Sequence, residues 1–270
     1  YYLTEVIFEA LPELYAELEQ LLADAYPQGQ LTVPSFLRFG SWIGGDQDGN
    51  PNVSAQTLLD ALRWQRSQAI QRYRSSIELL AQEFSQSLNH CSITEELQAS
   101  LERDAERLPE YNRELGAQTA QEPYRRKLSF IWKRLEPSIP SPFQAYEEAR
   151  DTRIETEQPA YNGYLTKDTQ MAYRSAEELL NDLLLVQNSL LADGEQNAAQ
   201  GQLATLIRQV QVFGFYLAAL DVRQHSQRHA TALAELLHAT GLCKDDYTKL
   251  DEQRRIQLLG ELLDDPRVLP

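Results

Sequence analysis

The chain has 270 residues, 40 of them acidic and 25 basic, for a formal net charge of -15. That length can bury a real core without staples, while a field of this sign repels polyphosphate backbones and argues against nucleic acid as a partner. The two cysteines, Cys91 and Cys243, lie too far apart for a Cys-x-x-Cys site, which excludes a disulfide scaffold and points to a reduced, intracellular protein.

Taken in chain order, most of the sequence has helical periodicity, with proline and glycine falling between the periodic stretches. A first helix is expected over Glu5 to Leu22, ending before the turn-like Tyr26-Pro27-Gln28-Gly29. An apolar, β-prone run, Phe36 to Ile43, reads as a strand. From Ser54 a long helix is expected to about Leu88, with Leu58, Leu62, Ile70, Tyr73, Ile77, Leu80, Ala81 and Phe84 on one side. Further helices are expected near 93–107, 122–136, 175–191, 197–213, 226–240 and 250–263. Ser92 with Glu95, and Ser175 with Glu178, have capping-box spacing. The polar stretch Arg150 to Gly163 reads as a surface loop or linker, and Leu217 to Arg223 as a second strand. Strands separated by long helical stretches suit a β/α barrel with helical insertions. Two strands cannot close such a barrel, so the remaining ones are expected outside this sequence.

No apolar run reaches the roughly 18 to 20 residues needed to span a bilayer, and the N-terminus has no signal-like core. A cytoplasmic protein without a membrane partner is the expectation. The absence of an initiating methionine and an opening within a helix give the sequence the look of an internal piece.

The most informative stretch is Gly44-Gly45-Asp46-Gln47-Asp48-Gly49-Asn50-Pro51-Asn52. Its glycines permit tight turns, and its Asp and Asn side chains can bond nearby backbone amides. A calcium loop fails here, because Pro51 stands at the sixth position and Thr57 at the twelfth. The other reading is a self-bonded strand-to-helix turn, its exit helix capped by Ser54. Arg223, directly after an apolar run, can present a planar fork to a carboxylate or phosphate; it could equally pair with a buried aspartate. His225 and His229 have i, i+4 spacing on one helix face, with no third metal ligand apparent. The basic residues in Glu122-Pro123-Tyr124-Arg125-Arg126-Lys127-Leu128 could form an anion patch or pair with neighbouring acids.

Together these stretches resemble phosphoenolpyruvate carboxylase, in order as well as in wording. Phe39 to Pro51 resembles that family's glycine-aspartate signature and Glu122 to Leu128 its Glu-Pro-Tyr-Arg segment. Tyr173 to Leu180 and Leu220 to His229 follow in the family's order. Gln47 departs from the pattern, which usually has arginine there. The resemblance implies a mainly α chain, residues 1–270, forming one internal segment of the family's domain: a few strands of an α/β (TIM-like) barrel with helical insertions. The implied reaction of the intact, allosteric enzyme joins bicarbonate to phosphoenolpyruvate with Mg2+ or Mn2+, giving oxaloacetate and phosphate and so supplying the tricarboxylic acid cycle. It also implies partners in the remainder of the same polypeptide and a dimer of dimers, a homotetramer. Arg223 matches an arginine near the substrate phosphate, and Trp42 a tryptophan of the apolar pocket around carbon dioxide. The resemblance further implies that Gly44, Gly45, Asp46, Asp48 and Asn50 support an active-site loop. The family's catalytic histidine motif, acidic metal ligands, glycine-arginine-rich loop and C-terminal inhibitor site have no counterpart in the sequence. The principal catalytic residues and metal ligands are therefore expected outside it, and the piece alone is expected to be inactive. The alternative class is a non-catalytic helical protein-interaction module.

Overall fold

The computed structural model describes residues 2–29, 31–85, 92–116, 118–136, 171–243 and 245–263; the expected loop from Arg150 to Gly163 and Cys91 lie outside them. Among the described residues the chain is mainly helical, with a single two-stranded sheet. It divides into two compact units, Tyr1–Gly40 with Asp60–Ala219, and Ser41–Leu59 with Leu220–Pro270.

The first unit starts with a π-helical segment, Tyr2–Ile7, that runs into α1, Phe8–Ala25. Phe8, Leu11, Pro12 and Tyr15 are its buried residues, the i, i+3, i+4, i+7 stripe that turns one helix face to a core. Pro12 has no N–H to give to the Phe8 carbonyl one turn back. That carbonyl accepts instead from the buried side-chain amide of Gln209 at 3.0 Å, so the break in the ladder is repaired from another helix. Helix α2, Ala55–Glu83, buries Ile70, Tyr73, Ile77 and Leu80 as the periodicity predicts. It stops five residues short of the expected Leu88, because Phe84 turns into the core as the chain leaves the helix.

Helix α3, Glu95–Arg107, is capped by Thr94, whose hydroxyl accepts from Leu97 N–H, and not by Ser92. The Ser92 backbone N–H and hydroxyl both donate to Asp193, at 2.9 and 2.5 Å, so a distant carboxylate has claimed the residue that the capping-box spacing selects. After α4, Pro109–Leu115, come α5, Pro123–Leu135, and α6, Ala176–Ala192. Ser175 caps α6 as expected, accepting from Glu178 N–H; the Glu178 carboxylate reaches back one residue further, to the Arg174 N–H. The helix expected over 197–213 is broken at Gly201 into α7, Gln196–Gln200, and α8, Gln202–Phe213.

Where α3, α5 and α6 meet, charges are buried. The Lys127 ammonium, fully inaccessible, donates to Ser100 at 2.8 Å, Asp104 at 2.6 Å and Asp182 at 2.7 Å. Arg134, also buried, donates to Asp182 at 2.7 Å and lies with its guanidinium 3.8 Å from the Tyr173 ring centre. The Tyr173 hydroxyl donates to Asp182 at 2.6 Å, and burial together with that carboxylate pushes its pKa well up, keeping it a donor. Arg125 pairs with Glu122 at 3.0 Å. Within the basic run, Arg125 and Lys127 thus pair with acids.

The short strand β1, Gly40–Ser41, pairs in parallel with β2, Ala219–Leu220, and the helices α9, Ser226–Ala239, and α10, Glu252–Leu263, belong to the second unit. Both strands are far shorter than the runs Phe36–Ile43 and Leu217–Arg223. The lead-in segments spend their backbone groups elsewhere, all within the first unit. Phe36 and Leu37 donate their N–H groups to the Tyr15 hydroxyl at 3.0 and 3.2 Å, and Arg208 holds the Val33 carbonyl at 3.2 Å. Ahead of β2, the Tyr73 hydroxyl donates to the Gly214 carbonyl at 2.7 Å, while the buried Gln65 carbonyl oxygen accepts from Ala218 N–H at 2.9 Å.

Replacing Lys127 with methionine keeps the volume but leaves Asp104 and Asp182 short of their counter-charge inside the helical unit. The expected loss is about 3 to 5 kcal/mol of unfolding free energy in urea titration. An unchanged denaturation midpoint and slope would show that the cluster contributes nothing to stability.

Candidate functional site

Residues 41–47 and 221–224 are joined through their backbones within the second unit. Asp221 N–H donates to the Ser41 carbonyl at 2.9 Å, Arg223 N–H to Gly45 at 3.0 Å, and Gln47 N–H returns to Arg223 at 2.8 Å. An isolated parallel bridge between Asp46 and Arg223 extends the pairing past the strands. From Ser41 to Gly45 the first segment takes four steps where the second, Asp221 to Arg223, takes two. The excess is thrown into a turn in which Gly45 and Asp46 both donate to the Trp42 carbonyl, at 2.9 and 3.1 Å. Gly44 makes that turn with a φ of 85°, open to glycine at no steric cost. Gly45 is required for another reason: a Cβ there would lie 2.5 Å from the Asp221 carbonyl oxygen.

The turn displays Trp42 and Ile43, which are 59% and 83% exposed. Over the Trp42 ring, 5.0 Å from its centre, lies the Arg223 guanidinium. The nearest acid is Asp46, whose Oδ2 is 3.9 Å from Arg223 Nη1. That separation is an ion-pair contact but too long for a hydrogen bond, and with side chains 50% and 37% exposed such a pair contributes only about 0.2 to 1 kcal/mol. Arg223 is therefore oriented by a ring face and a loosely placed carboxylate. Its planar N–H donors stay available.

The rest of the loop bonds to itself. Asp46 Oδ1 accepts from Asp48 N–H at 3.3 Å and Asn50 Oδ1 from Asn52 N–H at 3.1 Å, two Asx turns in series. Ser54 and Thr57 exchange backbone N–H bonds through their hydroxyls at 3.2 and 3.3 Å, starting α2 with the expected serine cap. Thus Trp42, Gly44, Gly45, Asp46 and Arg223 come together, whereas Asp48 and Asn50 shape the exit towards α2 and are not paired with Arg223.

Sequence reasoning missed the Gln224 side-chain amide, which donates to the Gln47 carbonyl oxygen at 2.9 Å and also accepts from His225 N–H at 2.9 Å. Gln47, where the family pattern usually has arginine, is here an amide partner across the two segments. No spacing rule brings two such distant glutamines together. His225 Nδ1 accepts from Gln227 N–H at 3.2 Å and caps α9. Among the described residues no three His, Cys, Asp or Glu side chains converge as a metal site, and none of the helices is long and apolar enough to cross a membrane.

The close approach at Gly45 generates a specific expectation. Gly45→Ala should force the Asp221 segment away and lower unfolding free energy by about 1 to 3 kcal/mol, as overpacking does, read as a depressed melting temperature. An alanine variant that melts like the parent would mean that the two segments are not held as tightly as the 2.5 Å approach demands.

The sequence matches the family model for phosphoenolpyruvate carboxylase along residues 1–270. Among curated relatives, it is 38% identical over 269 residues to a phosphoenolpyruvate carboxylase of Roseiflexus castenholzii, covering 100% of this chain and 27% of the relative. It is 37% identical over 270 residues to that of Synechocystis sp., covering 100% and 25%. With the enzyme of Thermosynechococcus vestitus it shares 39% identity over 263 residues, covering 97% and 25%. The chain spans about a quarter of the length of these relatives. With all of residues 1–270 matched by the family model, this chain belongs to the phosphoenolpyruvate carboxylase family.

Proposed function

We propose that this chain supplies one wall of a phosphoenolpyruvate carboxylase active site, and that Arg223 binds the phosphoryl group as it moves from phosphoenolpyruvate to bicarbonate. The observation that carries this reading is the guanidinium itself, lying over the Trp42 ring with its N–H donors uncommitted beside the glycine loop. A planar fork suits a multiply charged transferring group, and a donor already in place need not reorganise during the reaction. In this reading bicarbonate oxygen attacks the phosphorus and the bond to the enol oxygen breaks. Carboxyphosphate and an enolate result; carbon dioxide released from the first is captured by the second, giving oxaloacetate and phosphate. Trp42 contributes to the apolar pocket that retains carbon dioxide and excludes water, and Gly44, Gly45, Asp46, Asp48 and Asn50 hold the loop that carries it.

The Mg2+ or Mn2+ of the intact enzyme is assigned to ligands in the rest of the polypeptide. Asp46 fits it poorly, since one of its oxygens takes the Asp48 amide and the other faces Arg223. The proton-transfer groups and the remaining strands of an α/β barrel around β1 and β2 are placed there as well. So is the assembly into a homotetramer in the cytoplasm. A helical interaction module has no need for an uncommitted arginine fork, and no observation favours that alternative.

The test pairs stability with kinetics in the full-length enzyme, with the isolated 270-residue chain run alongside and expected to form no oxaloacetate. Arg223→Ala should cost about 3 to 4 kcal/mol of transition-state stabilisation, roughly two to three orders of magnitude in kcat, at an unchanged melting temperature. Arg223→Lys should rescue poorly, since it keeps the charge and loses the fork. Near-normal turnover in a well-folded Arg223→Ala enzyme would defeat the assignment. For Trp42→Ala the expected signature is uncoupling: phosphate released in excess of oxaloacetate as carbon dioxide escapes or water intervenes. Strict one-to-one coupling in that variant would remove Trp42 from the pocket.

A further inference from the structure

We infer that Trp42 is also a positioning residue for Arg223: its indole face holds the guanidinium so that the edge of the fork is presented to the substrate phosphoryl oxygens. The inference rests on the proposed role of Arg223 and adds a task for Trp42 that is separate from enclosing carbon dioxide.

Arg223 lies on a half-exposed side chain with several rotatable bonds, and an arginine so placed loses substantial rotamer freedom when it binds an anion. Two neighbours can hold it beforehand. A carboxylate would do so by taking the same in-plane N–H donors that an anionic ligand needs, and Asp46 at 3.9 Å stops short of that. The indole, 5.0 Å from guanidinium carbon to ring centre, attracts the cation through the ring quadrupole and leaves the in-plane donors free. The tryptophan is itself fixed from below, because its carbonyl accepts the N–H groups of both Gly45 and Asp46, while Arg223 is tied at its backbone to Gly45 and Gln47. Ring and fork therefore sit on one hydrogen-bonded clasp. The exposed ring gives the fold little packing, so its removal should be read in ligand binding and not in stability.

The experiment is a double-mutant cycle in the full-length enzyme with Mg2+, using calorimetric Kd for phosphoenolpyruvate and melting temperature as readouts. Trp42→Leu, which keeps an apolar side chain but no ring face, should weaken binding roughly two- to five-fold, and Trp42→Phe should fall between leucine and the parent. In an Arg223→Ala background, Trp42→Leu should produce no further weakening, because there is no fork left to hold. The inference is overturned if Trp42→Leu weakens binding equally with and without Arg223, or leaves it unchanged while Arg223→Ala alone is impaired. Arg223→Ala with parental affinity and turnover would instead overturn the reading of Arg223 itself. If leucine disturbs the loop and lowers the melting temperature, the cycle with Trp42→Phe decides between the same outcomes.

Discussion

Three backbone hydrogen bonds, Asp221 to Ser41, Arg223 to Gly45 and Gln47 to Arg223, hold the site together. They join segments far apart in sequence in a parallel pairing, and the turn that displays Trp42 follows from them. Because the bonds at Ser41 and Gly45 are made to residues only two apart on the opposite segment, the intervening chain must loop out, and the residue at the start of that loop is Trp42. Because the segments lie this close, one position must lack a side chain, and it is Gly45. Because Arg223 is paired on both sides of its own peptide, the place from which its side chain departs is fixed before any ligand arrives. In the proposed role of Arg223, that fixed departure point is what makes the arginine a preorganised donor.

The lead-in segments are held by side chains of the helical unit. Tyr15 and Arg208 pin residues 33–37, and Gln65 and Tyr73 pin residues 214–218. These are polar groups satisfying backbone that has left regular structure. The same unit tolerates an internal Pro12 because Gln209 takes over the orphaned carbonyl. It also tolerates buried Lys127 and Arg134 because Asp104 and Asp182 lie within hydrogen-bond reach.

What the sequence made legible follows from how local each signal is. The mainly α class, the buried stripe Ile70, Tyr73, Ile77 and Leu80, and the caps at Ser54 and Ser175 depend on neighbours within a turn or two, and they are as expected. Ser92 failed as a cap because Asp193, a hundred residues away, competes for it. The strands proved shorter than their apolar runs because Tyr15 and Gln65 take amides that a ladder would have used. Within the site, the loop's Asx turns could be read from composition. The meeting of Trp42 with Arg223 was accessible only through the family resemblance, and the amide pair of Gln47 with Gln224 not at all, since neither glutamine carries a local signature.

The proposal stands or falls on whether Arg223, held over Trp42 by the clasp, is the group that meets the phosphoryl oxygens. The most direct measurement is a crystal structure of the full-length enzyme with phosphoenolpyruvate and a divalent metal. It should show in-plane Arg223 N–H groups within about 2.7 to 2.9 Å of phosphoryl oxygens, with the guanidinium still stacked on Trp42. A phosphoryl group bound elsewhere, with Arg223 turned into a hydrogen-bonded pair with Asp46, would contradict it.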